Sequence, residues 1–316
     1  MNGRILRPIL LLAAGLAGPA ARAEPIRHEF IAVDEGLGNL LYVNELNPGR
    51  NWIVPIGHAH PRDLQLIGSG RLLLSHDKGY SEYELSGGRR AFDLASYSNV
   101  SSARRLPDGD TLLAYAVEGK PMGVFVAELD PKGREVRATV YAGDYVRLMR
   151  QTDRGTFLFG MNDRIEEGDG KGAIVWTARA EGFRHAWKAL RLPSGNTLAS
   201  GGYGAFMVEF APDGRIVRRF GGAADVPAEV HPYFYGTFQL LPGGHVAVAN
   251  WQGHGPGHGG SGVQLLEFDA EGRIVWRWSD RSVISSVQAI LILDGLDTAR
   301  LHDERTGLML PLAGAP

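Results

Sequence analysis

The stretch Leu192-Pro193-Ser194-Gly195-Asn196-Thr197-Leu198 decides the fold, because the chain repeats it. Close copies run over Leu106–Leu112 and Leu241–Val246, and weaker copies surround Gly70 and Gly155. The shared glycines stand at positions 70, 109, 155, 195 and 244, about 40 to 50 residues apart, which is the pitch of a repeat architecture. Apolar residues flank each copy, so each one predicts a strand, a tight turn and a second strand.

A second signature follows the first in three of these repeats. It covers Glu128–Arg134, Glu209–Arg215 and Glu267–Arg273, and an alternating strand such as Ile274–Trp278 comes after it. One repeat therefore comprises four strands, here called A to D, with turns between A and B and between C and D. Four-stranded units at this period are typical of a β-propeller, so the sequence predicts an all-β propeller of four-stranded blades.

The number of blades follows from the two ends of the chain. The segments Phe30–Val33, Leu40–Val43 and Trp52–Pro55 supply strands B, C and D of a first blade that lacks strand A. The apolar run Val287–Leu293 supplies the missing strand from the far end of the sequence. Pairing the two ends closes the ring and removes its free sheet edge. We therefore predict six blades, and a degenerate seventh remains open.

Composition excludes several classes of protein. Glycine makes up 43 of the 316 residues, but no Gly-X-Y period exists, which excludes collagen. A hydrophobic fraction of 44% with a net charge of −2 predicts a folded core, and the absence of a basic patch excludes nucleic acid as an expected partner. The chain has no cysteine, so disulfides, thiolate metal sites and a cysteine nucleophile are excluded.

The first 23 residues have the pattern of a signal peptide. Arg4 and Arg7 precede a short apolar run, and Ala21-Arg22-Ala23 fits a cleavage site. The run is far shorter than the ~20 residues that span a bilayer, so we expect no stable membrane insertion after cleavage. We predict a periplasmic or secreted protein whose residues 24–316 form a single propeller domain, without a lipidation cysteine. Its oligomeric state is left open.

These repeat motifs resemble the quinoprotein-like (PQQ-like repeat) β-propeller superfamily. They are similar to the repeats of periplasmic arylsulfotransferases and their uncharacterised exported relatives. The resemblance to quinoprotein dehydrogenases implies pyrroloquinoline quinone, but their vicinal disulfide and eight-bladed scaffold do not fit this chain, so we do not expect that cofactor. The resemblance to arylsulfotransferases implies a histidine nucleophile at the mouth of the channel.

Propeller topology predicts which residues share a face. The starts of the A strands and the loops between strands B and C gather at one end of the channel, here called the top. The longest of these loops, Asn250–Gly262, carries two histidines and a tryptophan among six glycines. Histidine and arginine at this end would hold an anion. The predicted ligand-binding residues are His60, Arg62, Arg147, His185, Lys188, Tyr235, Trp251, His254 and His258.

Three functions remain open at this face. The first is binding of a small polar or anionic ligand, without catalysis. The second is a histidine-dependent enzyme of the sulfuryl-transfer, hydrolase or lyase type, with His185 and His254 as candidate catalytic residues. The third is a protein-interaction scaffold, which predicts a broad face without a deep pocket. A structural channel filled by water is the alternative to any site.

Other polar clusters have weaker interpretations. His254 and His258, with His60 or His185, would hold a divalent metal, although no carboxylate lies in the loop. His76-Asp77-Lys78 and Asp163–Glu167 belong to the top face and are interpreted as solvated loops. His302-Asp303-Glu304 follows the closing strand and is interpreted as a solvated or structural tail at the bottom.

Overall fold

The computed structural model describes residues 24–117, 123–143 and 145–312, and it consists almost entirely of β-strands. The predicted signal peptide lies outside the described residues. Blade 1 is formed by β1 (Glu29–Asp34), β2 (Asn39–Asn44), β3 (Trp52–Pro55) and β24 (Val287–Ile292). Blade 2 is formed by β4 (Leu64–Gly68), β5 (Arg71–His76), β6 (Gly79–Glu84) and β7 (Arg90–Leu94). Blade 3 is formed by β8 (Val100–Arg105), β9 (Thr111–Val117), β10 (Gly123–Leu129) and β11 (Glu135–Tyr141).

The remaining three blades follow the same order along the chain. Blade 4 is formed by β12 (Met149–Gln151), β13 (Phe157–Gly160), β14 (Ile165–Gly168) and β15 (Ile174–Ala178). Blade 5 is formed by β16 (Ala189–Arg191), β17 (Thr197–Ser200), β18 (Met207–Phe210) and β19 (Ile216–Phe220). Blade 6 is formed by β20 (Phe234–Leu240), β21 (Val246–Trp251), β22 (Leu265–Phe268) and β23 (Ile274–Trp278). Two final strands, β25 (His302–Thr306) and β26 (Leu308–Pro311), extend the blade 6 sheet. Short 3-10 helices cover Pro48–Arg50, Ala228–Val230 and Pro242–Gly244.

The six-bladed ring closes as predicted. Strand β24 pairs antiparallel with β1, which places Ile290 opposite Ala32 and Ile292 opposite Phe30. The last part of the chain thereby becomes the innermost strand of the first blade, and the predicted fold class is confirmed. This pairing joins the two ends of the described ring, so closure protects sheet edges that would otherwise be exposed.

The repeated turn explains the glycine pitch. At Gly195 the backbone φ is +86°, in the left-handed region that favours glycine. The Leu192 amide donates to the Asn196 carbonyl at 2.8 Å, and the Gly195 amide donates to the Leu192 carbonyl at 2.9 Å. A side chain at this position would be strained, so each copy of the motif keeps its glycine.

Apolar faces of neighbouring blades pack against each other. Between blades 1 and 6, Phe30 and Leu41 pack in one buried cluster with Leu265 and Trp276. Full burial of one such side chain contributes about 1.5–3 kcal/mol. These layers hold the inner strands in place, and those strands line the channel that carries the candidate site.

The C-terminal tail closes the bottom of the channel. Strand β25 lies against the inner strands β4, β12 and β16, and Asp303 and Glu304 are buried. Glu304 accepts from Arg150 Nε at 2.8 Å and from Lys188 Nζ at 2.7 Å, while Asp303 pairs with Arg104. The prediction of a solvated tail is therefore wrong, because its carboxylates neutralise cations that project from the inner strands. Its structural alternative is confirmed.

No helix in the described part of the chain is long and apolar enough to cross a membrane.

Candidate functional site

The top of the channel contains a cavity of about 190 Å³, here called the top cavity. Six of the nine predicted ligand-binding residues line it, and they come from the starts of A strands and from the longest loop. The other four lining residues are a tryptophan, a phenylalanine, a tyrosine and a glutamine. The lining residues are His60, Arg62, Arg147, His185, Trp187, Tyr203, Phe234, Trp251, His254 and Gln288.

The two cavity histidines that precede A strands share an unusual backbone conformation. His60 has a φ of +51° and His185 a φ of +57°, at equivalent positions of blades 2 and 5. Asn99 holds the same position in blade 3, with a φ of +56°. Left-handed backbone is uncommon for residues other than glycine, and such residues cluster at functional sites. The repeat therefore positions these side chains through its connection into strand A.

Two arginines give the cavity its positive charge. Arg147 donates to His185 Nδ1 at 3.0 Å and lies over the Tyr145 ring, whereas its buried Nε has no hydrogen-bond partner among the described residues. Arg62 donates to the Val100 carbonyl at 3.4 Å. Within the described ranges, neither guanidinium forms an ion pair with a carboxylate. Burial, and then repulsion by Arg147, lowers the pKa of Arg62 to about 10, which is still well above neutral pH. Burial also lowers the pKa of Arg147.

The two histidines of this wall are uncharged at neutral pH. Arg147 donates to His185 Nδ1, which fixes the proton of the neutral ring on Nε2, and the Tyr145 hydroxyl contacts the same nitrogen. Burial, and then the charge of Arg147, lowers the pKa of His185. Burial, and then the charge of Arg62, lowers the pKa of His60. The two imidazoles can therefore donate or accept hydrogen bonds without adding to the cationic charge.

A carboxylate that the sequence analysis did not name lies at the cavity edge. Glu35 Oε1 accepts from His254 Nδ1 at 2.9 Å, and Glu35 Oε2 accepts from Trp251 Nε1 at 3.0 Å. The Glu35 side chain is only 10% exposed, whereas that of His254 is 65% exposed. Glu35 thus orients an accessible imidazole, as carboxylates do in histidine-based catalytic sites.

One wall of the cavity is aromatic. Phe234 contacts Trp187, Tyr203 and Trp251 edge to face, with ring centroids 4.8–5.4 Å apart. The buried indole N–H of Trp187 has no hydrogen-bond partner in the described structure. The cavity therefore presents cationic and aromatic side chains side by side, and the Arg147 guanidinium lies 5.3 Å from the centre of the Trp187 ring.

A second cavity of about 540 Å³ adjoins the first and is here called the outer cleft. It shares His185 and Tyr203 with the top cavity and is also lined by Arg184 and Tyr233. The Arg184 guanidinium lies 5.3 Å from the centre of the Tyr203 ring. A ligand longer than one ring can extend from the top cavity past His185 into this cleft.

The structure places two predicted ligand-binding residues away from the top cavity. Lys188 lies deeper in the channel, where it donates to Glu304 and to the Phe238 carbonyl. Burial lowers its pKa to about 7, although Glu304 opposes that shift. Tyr235 is fully buried between blades and donates to the Gly221 carbonyl at 2.6 Å. The prediction of these two residues as ligand-binding is therefore wrong. The Lys188 ammonium is held by Glu304 deeper in the channel, and the Tyr235 side chain points to the opposite face of its strand.

His258 also lies outside the lining of the top cavity. Its Nε2 contacts the His254 carbonyl at 3.2 Å, and its backbone amide donates to Ser285 Oγ at 3.1 Å. Its ring therefore supports the loop. The predicted metal pair is His254 and His258. The two rings have different partners in the structure, because His254 Nδ1 contacts Glu35 whereas His258 Nε2 contacts a backbone carbonyl.

Comparisons with known proteins support the fold. Neither the known family models nor the curated proteins match the sequence. A protein of unknown function from Bacteroides caccae is similar in structure, with a TM-score of 0.70 and 23% identity over 84% of this chain and 99% of that one. A streptogramin B lyase has a TM-score of 0.52 at 10% identity, over 86% of this chain and 95% of that one.

A third structure is a catalytically inactive histidine-to-alanine variant of virginiamycin B lyase from Staphylococcus aureus with quinupristin. It has a TM-score of 0.51 at 10% identity, over 84% of this chain and 88% of that one. At such identities the likeness shows the β-propeller alone. The quinoprotein-like assignment and its arylsulfotransferase branch therefore stay predictions.

Proposed function

We propose that the protein binds a small organic anion with an aromatic ring in the top cavity. The observation that carries this proposal is the pair Arg62 and Arg147, two cavity-facing cations without a carboxylate partner among the described residues. Arginine offers paired donors to carboxylate and sulfate groups, and the aromatic side chains Trp187, Phe234 and Trp251 in the same cavity suit a ring.

The volume of the cavity sets the size of the ligand. An apolar cavity of ~150 Å³ holds benzene, so about 190 Å³ suits one ring with one anionic group. Phenyl sulfate and benzoate are therefore suitable probes. The cavity favours a small ligand over the protein-interaction scaffold, because a scaffold predicts a face without a deep pocket.

Isothermal titration with matched probes tests this proposal. We expect phenyl sulfate and benzoate to bind more tightly than inorganic sulfate, which lacks the ring, and than benzamide, which lacks the charge. Arg147→Met should weaken binding of the aryl anions by about 10- to 100-fold, the value of a hydrogen bond to a charged group. Arg154→Met removes an exposed arginine at a bottom turn and is the matched control. Equal affinities for benzoate and benzamide, or no loss in Arg147→Met, would refute the proposal.

The second candidate function is catalysis at the same cavity by His254. It is favoured by the 2.9 Å contact of Glu35 with His254 Nδ1, which leaves Nε2 available to transfer a proton to or from a bound ligand. Sulfuryl transfer, hydrolysis and lyase chemistry all remain within this candidate, and two of the similar structures are lyases.

Product formation from phenyl sulfate, aryl esters and cyclic esters tests the catalytic candidate. Glu35→Gln should lower kcat and leave the affinity for benzoate within about twofold, because Glu35 orients the base and does not contact the anion. His254→Ala should remove turnover. Turnover that survives His254→Ala would reject this role while leaving the ligand site intact.

We further propose that the protein is exported and binds its ligand in the periplasm or outside the cell. Residues 1–23 support this proposal through their signal-peptide pattern. N-terminal sequencing of the exported protein should begin at Glu24.

A further inference from the structure

A second histidine cluster lies on the top face, outside the top cavity. It consists of His58, His76 and Asp93, here called the His58 cluster. His58 lies in the connection from β3 to β4, His76 ends β5, and Asp93 lies in β7. Three separate segments of blades 1 and 2 therefore bring two imidazoles and a carboxylate together, each with a ligand atom within 4.8 Å of the others.

The distances within the His58 cluster suit a metal ion. His58 Nε2 lies 2.9 Å from Asp93 Oδ1, and His76 Nε2 lies 3.6 Å from the same oxygen. Ligand atoms of tetrahedral zinc lie about 3.4 Å apart, given Zn–N bonds of ~2.0–2.1 Å. The two measured distances lie on either side of that value, so small movements of the side chains would centre an ion.

The buried Nε2 of His76 is a second observation, independent of the distances, that points to a ligand at this cluster. The His76 side chain is fully buried, and its Nε2 has no hydrogen-bond partner among the described residues. A buried polar atom without a partner is destabilising, so native structures rarely keep one without a reason. The solvated-loop interpretation of His76-Asp77-Lys78 is therefore wrong for His76, and this nitrogen faces the Asp93 carboxylate.

Neighbouring groups orient the Asp93 carboxylate and the two histidine rings. Ser81 Oγ donates to Asp93 Oδ1 at 2.6 Å, which fixes the carboxylate, as second-shell groups do at metal sites. The rings of His58 and His76 stack with centroids 3.8 Å apart, so both present Nε2 to Asp93. Coordination would tilt the rings out of this stack and would break one long contact, from the Lys78 amide to His76 Nδ1 at 3.3 Å.

We propose that His58, His76 and Asp93 bind a divalent transition metal, with Zn²⁺ as the best match. Two imidazoles and one carboxylate select zinc and its neighbours over Mg²⁺ and Ca²⁺, which prefer oxygen ligands. Three protein ligands leave a fourth position for water or for a ligand atom. His58 and His60 belong to the same β3–β4 connection, so the ion would also tie that connection to blade 2.

Titration of the untagged, chelator-treated protein with ZnCl₂ tests the metal site, with MgCl₂ as the comparison. We expect one Zn²⁺ per chain and no Mg²⁺ binding at equal concentration. His58→Ala and Asp93→Asn should each weaken Zn²⁺ binding by more than about tenfold, since even outer-shell partners contribute 10- to 100-fold. His231→Ala removes another top-face histidine and should leave Zn²⁺ binding unchanged. Zinc binding that is absent, or that both cluster variants retain, would overturn the proposal.

Arg90→Met provides a test that does not depend on losing a ligand. Arg90 Nη1 lies 3.8 Å from Asp93 Oδ1, where its charge opposes a cation. Its removal should tighten Zn²⁺ binding by about two- to fivefold, a modest gain because the arginine is partly exposed and screened. If His58→Ala or Asp93→Asn lowers the melting temperature too far to titrate, an unchanged affinity in Arg90→Met still overturns the proposal.

Discussion

Replacing Glu304 by glutamine should destabilise the protein strongly, because this carboxylate holds two buried cations at the bottom of the channel. Lys188 Nζ donates to both Glu304 oxygens at 2.7 Å, and Arg150 Nε donates at 2.8 Å. Arg150 keeps a second partner, Asp63, at 2.6 Å, whereas Lys188 keeps only the Phe238 carbonyl. The substitution therefore leaves the lysine without a carboxylate. Because its pKa is already about 7 beside Glu304, the buried amine must then either remain an unpaired charge or give up its proton.

The size of this effect follows from the burial of the group. Glu304 is 2% exposed and Lys188 is 3% exposed, so water cannot replace the lost partner. Breaking a buried pair by removing one member costs about 3–5 kcal/mol. For a 316-residue chain with an unfolding entropy of ~2.1 cal/mol/K per residue, that loss lowers the melting temperature by about 5–8 °C.

Lys188→Met is the matched comparison, because it removes the other member of the same pair. Glu304 then keeps Arg150, and only the Phe238 carbonyl loses its donor, at about 1–3 kcal/mol. Scanning calorimetry and urea unfolding of the two variants measure both losses. The reasoning is refuted if Lys188→Met is as damaging as Glu304→Gln. Both variants should keep the wild-type affinity for phenyl sulfate, since neither residue lines the top cavity.

Two further predictions concern other buried polar groups. Burial lowers the pKa of His28, but hydrogen bonds to Asp294 and Glu267 outweigh it and raise the pKa to about 9. The protonated ring should therefore stabilise the fold by about 3 kcal/mol below pH 6.5, and this contribution is lost as the pH rises to about 9. In His28→Gln, the free energy of unfolding obtained from urea titrations should depend less on pH over that range. Tyr235→Phe should cost about 1–3 kcal/mol, because the Gly221 carbonyl loses its donor, while titration should show unchanged benzoate affinity. If the affinity for benzoate falls in Tyr235→Phe, Tyr235 belongs to the ligand-binding site and its exclusion above is refuted.

The blade architecture was predictable because its information is local and repeated. Each Gly195-type turn carries its own φ requirement, and the recurrence of that turn fixes the pitch of the blades. Ring closure was predictable for a different reason, since the Val287–Leu293 run had no other strand to complete. Both inferences need only the order of residues along the chain and the pairing rules of sheets.

Side-chain direction within strand A was harder to predict. Phe234 lines the top cavity, whereas Tyr235 points between blades, because successive residues of a strand face opposite sides. Lys188 directly follows Trp187, which lines the top cavity, but its side chain reaches Glu304 deeper in the channel. Proximity in sequence to the start of strand A therefore does not place a residue in the cavity.

The remaining groups of the site depend on contacts between distant segments. Glu35 lies in the β1–β2 loop of blade 1, which is also a B–C loop of the top face, so its position carried a usable signal. The His58 cluster had no such signal, because Asp93 comes from an outer strand and meets the histidines only in the folded blade. The burial of Asp303 and Glu304 was likewise set by distant cations on the inner strands.

The distribution of charge along the channel supports a ligand at its top. At the bottom, the buried cations Arg104, Arg150 and Lys188 each have a carboxylate partner among Asp63, Asp303 and Glu304, so no buried cation of that group is left without a counter-charge. At the top, the cavity arginines have no carboxylate partner in the described chain, and Glu35 is already engaged by His254 and Trp251. A channel that served only structure would gain from the same balance at both ends, because an uncompensated, partly buried cation is destabilising. The imbalance at the top is what an anionic ligand would complete, and it favours a binding site over a channel filled by water.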